Sequence, residues 1–255
     1  MISNKYFPVF SALILGFSGC ASMVNKVDHE GIARVKTVAV IGMTYDQQAA
    51  NSGSTILDNV IGKNDKGLMG KPIGEIIAPD YIAKAYGILT SNLETKKHWK
   101  FVPESTTIQN KEVAALYEKK NATIQAGVLP LMPHFYRYEI AGLPQSYNAK
   151  NADKAVLNQI AKELGADALI MLYAQTRLSQ SSVLGVGVGA IGSITDLSLL
   201  VYDPKTSGFS VVLNESGDQA KTTDGQFMGF ADKDSMNIQA LQSYQSAVDK
   251  TLVEL

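Results

Sequence analysis

The stretch from Asp153 to Ala174 limits the choice of fold more than any other part of the chain. Leu157, Ile160, Ala161 and Leu164 recur at spacings of three and four, which places them on one face of a helix, and Gly165 stops that helix. Asp167 then leads into Ala168-Leu169-Ile170-Met171-Leu172-Tyr173-Ala174, an unbroken apolar run of strand length. A strand apolar on both sides belongs inside a sheet covered on both faces, and a helix that feeds directly into it has to pack back on that sheet. Ile170 and Leu172 are therefore expected in the core.

The other periodic segments fit the same scheme. Val35 to Met43 sets β-branched residues in near alternation and reads as a first buried strand, whereas Thr44 to Pro72, rich in Gly, Asn, Ser, Asp and Gln, reads as a long loop. Pro79 and Asp80 open a helix carrying Ile82, Ala85, Tyr86, Leu89 and Leu93 on one stripe, closed by Lys96 and Lys97. Trp99 to Val102 is a short strand stopped by Pro103. Lys111 to Lys120 is a weaker helix, and Asn121 to Tyr147 is irregular and broken by Pro130, Pro133 and Pro144. Ile194 to Tyr202 and Phe209 to Glu215 flank the turn Asp203-Pro204-Lys205-Thr206-Ser207-Gly208 and should pair as an antiparallel hairpin. A last helix from about Met236 carries Ile238, Leu241, Tyr244, Val248 and Leu252 on one stripe. The expected fold class is α/β (α+β): a mixed sheet with helices packed on it, ending in an antiparallel hairpin and a C-terminal helix.

Near the N-terminus, Lys5 precedes an apolar run from Tyr6 to Phe17, the length of a signal-peptide core and short for a membrane span. Ser18 and Gly19 then precede Cys20, the single cysteine of the chain. Phe17-Ser18-Gly19-Cys20 resembles the lipobox of bacterial lipoproteins, with Phe17 where Leu is usual. The resemblance implies that residues 1–19 are a signal peptide and that Cys20 is acylated and becomes the mature N-terminus. It implies further that 20–34 is a lipidated linker and 35–255 a single periplasmic α/β domain. Ala21 and Ser22 stand where an Asp would signal inner-membrane retention, so the resemblance favours the outer membrane, facing the periplasm.

Hydrophobic residues make up 45% of the chain and charged ones 18%, which excludes a disordered or fibrous protein. A net charge of −1 with no long run of one sign gives no electrostatic support to a nucleic-acid partner. With Cys20 acylated there is no disulfide, so packing alone must stabilise the fold.

Candidate chemistry is sparse. Gly187-Val188-Gly189-Ala190-Ile191-Gly192 spells GxGxxG, but a pyrophosphate needs that loop at a strand-to-helix turn, and the residues after it are β-branched and strand-like; no cofactor is expected. His29, His98 and His134 stand apart with no metal-ligand spacing, so no metal is expected either. Glu163 and Asp167 flank the helix-to-strand junction, where they read as a solvated helix residue and a turn residue rather than an acid/base pair. His134-Phe135-Tyr136-Arg137-Tyr138 is either a contact surface or a strand burying alternate members. Val183 to Gly192 carries no charge: Gly185, Gly187 and Gly189 share one strand face and Leu184, Val186, Val188 and Ala190 the other. The stretch reads either as a connection with buried valines or as an exposed tongue, in which Leu184, Val186, Val188 and Ile191 touch a partner or the lipid surface.

The strand after a lipidated linker, the step Glu163-Leu164-Gly165-Ala166-Asp167-Ala168-Leu169-Ile170 and the hairpin around Tyr202-Asp203-Pro204 together resemble a group of periplasmic lipoproteins. The group includes the curli secretion lipoprotein and the lipoprotein activators of penicillin-binding proteins, and it is similar to the amino-terminal domain of the Tol system's propeller protein. The resemblance implies a non-enzymatic, lipid-anchored protein that acts as a binding, assembly or regulatory component of an envelope complex, with an envelope protein or further copies of itself as partner. The alternative it leaves open is an oligomeric outer-membrane pore or secretion subunit with a membrane-inserting hairpin around 179–216.

Overall fold

The structure is a computed structural model that describes residues 25–51, 80–117, 135–183, 186–221 and 233–255, with side chains except at 47–51, 135–136, 138, 178–191, 221 and 233–236. Cys20, residues 1–19 expected as a signal peptide, His134 and Leu184 lie outside the described residues, as do the side chains of Val186, Val188 and Ile191.

A mixed sheet organises the chain. In chain order its strands are β1 (Lys26–Val27), β2 (Thr37–Asn51), β3 (Lys100–Phe101), β4 (Phe135–Tyr138), β5 (Ala168–Val183), β6 (Val186–Asp203), β7 (Gly208–Ser216) and β8 (Ala220–Lys221). They lie side by side as β1-β7-β6-β5-β2-β3, with β4 also on β2 and β8 also on β6. Strands β2, β3 and β5 are mutually parallel where they pair, and every other pairing is antiparallel. The expected hairpin is β6–β7, with Asp203 opposite Gly208.

Helices cover both faces at one end of the sheet. On one face α2 (Tyr81–Lys97) and α7 (Lys233–Glu254) bury Ile82, Ala85, Leu89, Leu93, Tyr244 and Val248 against Val40, Ile170, Leu172, Leu199 and Val211. On the other, α6 (Lys154–Leu164) buries Leu157, Ile160 and Ala161 against Ile41, Leu169, Met171 and Tyr202. Short helices α1 (His29–Ala33), α3 (Glu104–Gln109), α4 (Lys111–Ala115) and α5 (Ser146–Lys150) fill the margins. Ile170 and Leu172 are fully buried, so the helix-to-strand unit holds the centre.

The start and stop of α6 are both local chemistry. The Asp153 carboxyl accepts the Ala155 N–H at 2.7 Å, and Gly165 takes a left-handed backbone (φ 60°) that lets the Ala166 N–H reach back to the Ala161 carbonyl at 2.9 Å.

Several boundaries differ from the expectations. The sheet starts before residue 35, because β1 pairs with β7 and Ile32 of α1 enters the core, so 26–33 are folded rather than linker. β2 runs through Asn51 where a loop was expected from Thr44; the polar residues from Thr44 to Gln48 are held there by β5 on one side and, from Tyr45, by β4 on the other. The remainder of that expected loop, 52–72, lies outside the described residues. β5 continues past Ala174 to Val183, and β6 begins at Val186 rather than Ile194. Phe135–Tyr138 is a strand inside the region read as irregular. Ile238, expected on the buried stripe of the last helix, is 57% exposed; that stripe is made by Ala240, Tyr244, Ala247 and Val248.

Candidate functional site

The face that α6 covers changes character along the strands. Its inward-pointing residues are apolar under the helix at Ile41, Leu169, Met171, Leu200 and Tyr202. Further out, by two residues on β5 and β6 and by three on β2, whose register shifts between Val40 and Gly42, the same face presents Thr44, Tyr173 and Ser198, and then Asp46, Gln175 and Asp196. Alternation keeps these side chains on one side. The segment 144–146 marks the border: the Met43 N–H donates to the Pro144 carbonyl at 3.1 Å, and the Thr44 hydroxyl accepts the Ser146 N–H at 3.0 Å.

Beyond that border a row of directly opposed residues crosses five strands. Arg137 faces Asp46, Asp46 faces Gln175, Gln175 faces Asp196, and Asp196 faces Ser216. Arg137 grips Asp46 bidentately, Nε to Oδ1 at 2.8 Å and Nη2 to Oδ2 at 3.2 Å, and the Tyr173 hydroxyl donates to the same carboxyl at 3.1 Å. Arg177 grips Asp196 in the same way, at 2.8 and 3.2 Å, and Ser216 donates to Asp196 at 2.6 Å. The bond to Asp46 raises the Arg137 pKa further, and burial followed by the Asp46 charge raises that of the Tyr173 phenol. The arginines stay half exposed, at 39% and 49% of their side-chain surface, so the paired groups still reach solvent.

The opposite face carries a buried chain of hydroxyls that sequence reasoning missed. The Tyr45 hydroxyl bonds both Tyr81 (3.0 Å) and Thr176, Thr176 bonds Thr195 at 2.5 Å, and the Thr195 N–H donates to Ser243 at 2.9 Å. Tyr244 reaches the same region, where burial and then Tyr45 raise its pKa. These residues alternate in phase with the apolar core, so nothing in the pattern separated them from ordinary strand threonines and tyrosines.

The residues singled out from sequence are not brought together. Gly187 to Gly192 lie within β6, away from any strand-to-helix turn. His29 and His98 are exposed on separate elements, and no cluster of three metal-ligating side chains occurs among the described residues. Glu163 is exposed and bonds Asn110 and Gln159, while Asp167 lies in the bend between α6 and β5 and there accepts the N–H groups of Lys36 and Thr37. Of the aromatic group, Arg137 is exposed and belongs to the polar row.

No family model and no curated protein matches the chain. Among solved structures, it is similar to a hypothetical protein of Chlamydia trachomatis (10% identity, TM-score 0.37, covering 86% of this chain and 96% of that one). It is also similar to a lipoprotein of Neisseria meningitidis (8% identity, TM-score 0.32, covering 86% and 99%). Likenesses this shallow carry no argument about function.

The β5–β6 hairpin reaches beyond the rest of the sheet. β2 pairs with β5 as far as Ser179, and β8 pairs with β6 at Gly192 and Ser193. Outward of these, β5 and β6 pair only with each other among the described residues, up to Val183 opposite Val186. Gln180 to Val183 and Val186 to Ile191 are therefore the end of a two-stranded ribbon.

Proposed function

We propose that the chain is a non-enzymatic, lipid-anchored component of the bacterial envelope. Cys20 holds it in the outer membrane facing the periplasm, and the polar half-face of its sheet docks another envelope protein. The observation that carries the docking is the row Arg137, Asp46, Gln175, Asp196 and Ser216 laid across five strands. Arginine and tyrosine are enriched at interface centres, and here two arginines and Tyr173 are already fixed by carboxylates, so little side-chain freedom is lost on binding. The anchor rests on the lipobox resemblance at Phe17 to Cys20.

Each half has its own test. Cys20→Ala should leave uncleaved precursor or a protein that no longer needs detergent for release; normal processing and wild-type membrane retention would remove the anchor. A photo-crosslinking amino acid at Gln175 should give a discrete adduct that Arg177→Glu abolishes, while the same group at Lys162, exposed on α6, gives none. Equal adducts from both positions would remove the docking face.

The projecting ribbon favours a second reading, an oligomeric pore with a membrane-inserting hairpin. Of the span 179–216, however, Thr195, Leu197, Leu199, Val201, Val211 and Leu213 are buried in the core. The free ribbon, 180–183 with 186–191, falls short of the ~9–11 residues per strand that a crossing needs. A stable ring of many copies in detergent would support the pore; a monomer or small oligomer supports the docking module.

A further inference from the structure

The direction in which the chain leaves the sheet at Lys26 decides which end of the domain faces a lipid at Cys20. β1 is antiparallel to β7, with Lys26 opposite Val212 and Val27 opposite Val211, so the chain traced backward from Lys26 heads toward Ser216. Asn25 is held on that course: its side-chain carbonyl accepts the Asn214 N–H at 2.9 Å, and its amide donates to the Glu215 carboxylate at 3.1 Å. β7 is antiparallel to β6, with Val212 opposite Leu200 and Ser216 opposite Asp196. Traced from Lys26 toward Cys20, the chain therefore sets off in the direction that leads along β6 from Leu200 to Val186, toward the outermost pair of the ribbon, Val183 and Val186.

Two lengths can then be compared. From Lys26 back to Cys20 the backbone spans at most about 20 Å. From Leu200, level with Lys26, to Val186 the strand advances about 45 Å at its ordinary rise per residue. A tether this short cannot hold the ribbon clear of the surface when the strands point at it. The sequence removes the electrostatic obstacle: no residue from Leu178 to Thr195 is charged, and the flanking Arg177 and Asp196 are paired with each other at 2.8 Å.

We infer that the ribbon, Gln180–Val183 with Val186–Ile191, rests in the same lipid surface that holds Cys20 and sets the orientation of the domain on it. This inference depends on the anchor at Cys20. Acyl chains dominate membrane retention, so the ribbon contributes orientation rather than attachment, and a test must read orientation.

Acylation consumes the one native thiol, which leaves an introduced cysteine as the single labelling site. The lipidated chain is prepared as Val186→Cys and, for the opposite end of the sheet, Lys205→Cys. Each is labelled with an environment-sensitive fluorophore and reconstituted in phosphatidylethanolamine/phosphatidylglycerol vesicles, with or without a lipid-borne quencher. At position 186 emission should shift to the blue by about 10 nm or more and be quenched several-fold more strongly than at 205. If the protein floats with the vesicles but both positions are equally unquenched, the inference falls and the anchor stands. If the protein does not float, both fall. A blue shift at 186 that lipid does not quench, and that dilution with unlabelled chain abolishes, would assign the ribbon to a second copy and overturn the lipid contact.

Discussion

Asp167 and Thr37 hold each other in both directions across the start of the sheet. The Asp167 carboxylate accepts the N–H of Thr37 at 2.9 Å and that of Lys36 at 3.1 Å, while the Asp167 N–H donates to the Thr37 carbonyl at 2.7 Å. The residue that closes the α6-to-β5 step therefore also fixes the register in which β2 enters beside β5. Asp167→Ala should cost about 1–2 kcal/mol, since two backbone donors lose a charged acceptor at a half-buried site. Asp167→Asn, which keeps one acceptor oxygen, should cost less. Urea unfolding of the soluble domain measures both; since both N–H groups share Oδ2, equal losses would mean that the charge carries the whole contribution and the oxygen that Asn retains adds nothing.

Ile170→Ala should cost about 2–5 kcal/mol, because the side chain is fully buried at the centre of the sheet. Ile238→Ala should stay within about 0.5 kcal/mol despite matching the hydrophobic period of its helix, since Ile238 is 57% exposed. A loss below about half a kcal/mol for Ile170→Ala in the same unfolding experiment would count against its central place.

These two isoleucines show what was legible in the sequence. Where burial is two-sided, as at Ile170, the apolar run alone places the strand, and the helices over 81–97 and 154–164 follow from their stripes. Where the outcome depends on neighbours, the pattern was silent. Asp46-Gln47-Gln48 is a poor strand sequence by propensity, and it is extended because β4 and β5 pair on its two sides. The polar row was hidden for the same reason: its members come from five strands, and only register brings Arg137, Asp46, Gln175 and Asp196 into line. Ile238 misled because α7 turns its Ala240, Tyr244, Ala247 and Val248 stripe to the sheet instead.

Gly217 and Gly87 should respond to alanine in opposite directions. A Cβ at Gly217 would fall within hard-contact range of the Ser243 carbonyl oxygen of α7, and Gly217 is itself pinned through its N–H to the Thr195 carbonyl at 2.8 Å. Gly217→Ala should therefore lower the unfolding midpoint by pushing α7 off the sheet, at a cost of about 1–3 kcal/mol. Gly87 is exposed in mid-helix with open space around it, so Gly87→Ala should stabilise the protein by about 0.5–1 kcal/mol. Thermal unfolding of the two variants side by side distinguishes steric contact from backbone entropy.

Glu139 gives the fold a pH dependence of predictable sign. Burial raises its pKa and the Asp46 charge adds to this, while Gln145 and Arg137 oppose it. The Gln145 amide lies near the carboxyl but not at hydrogen-bonding geometry, so neither oxygen is fully satisfied among the described residues, and the Arg137 guanidinium beside it is engaged by Asp46. For an acid whose folded pKa lies above its unfolded value, both states are protonated at low pH and nothing is lost. As pH rises, the unfolded chain releases its proton first, so stability falls from the unfolded pKa upward until the folded group also ionises. Glu139→Gln should then be more stable than the parent at pH 7, and the advantage should shrink as pH falls through the carboxylate range and vanish near pH 3. Urea midpoints of the two proteins across that range give the result. A Gln variant less stable than the parent at pH 7 would mean that the ionised carboxylate is favourably engaged in the folded state.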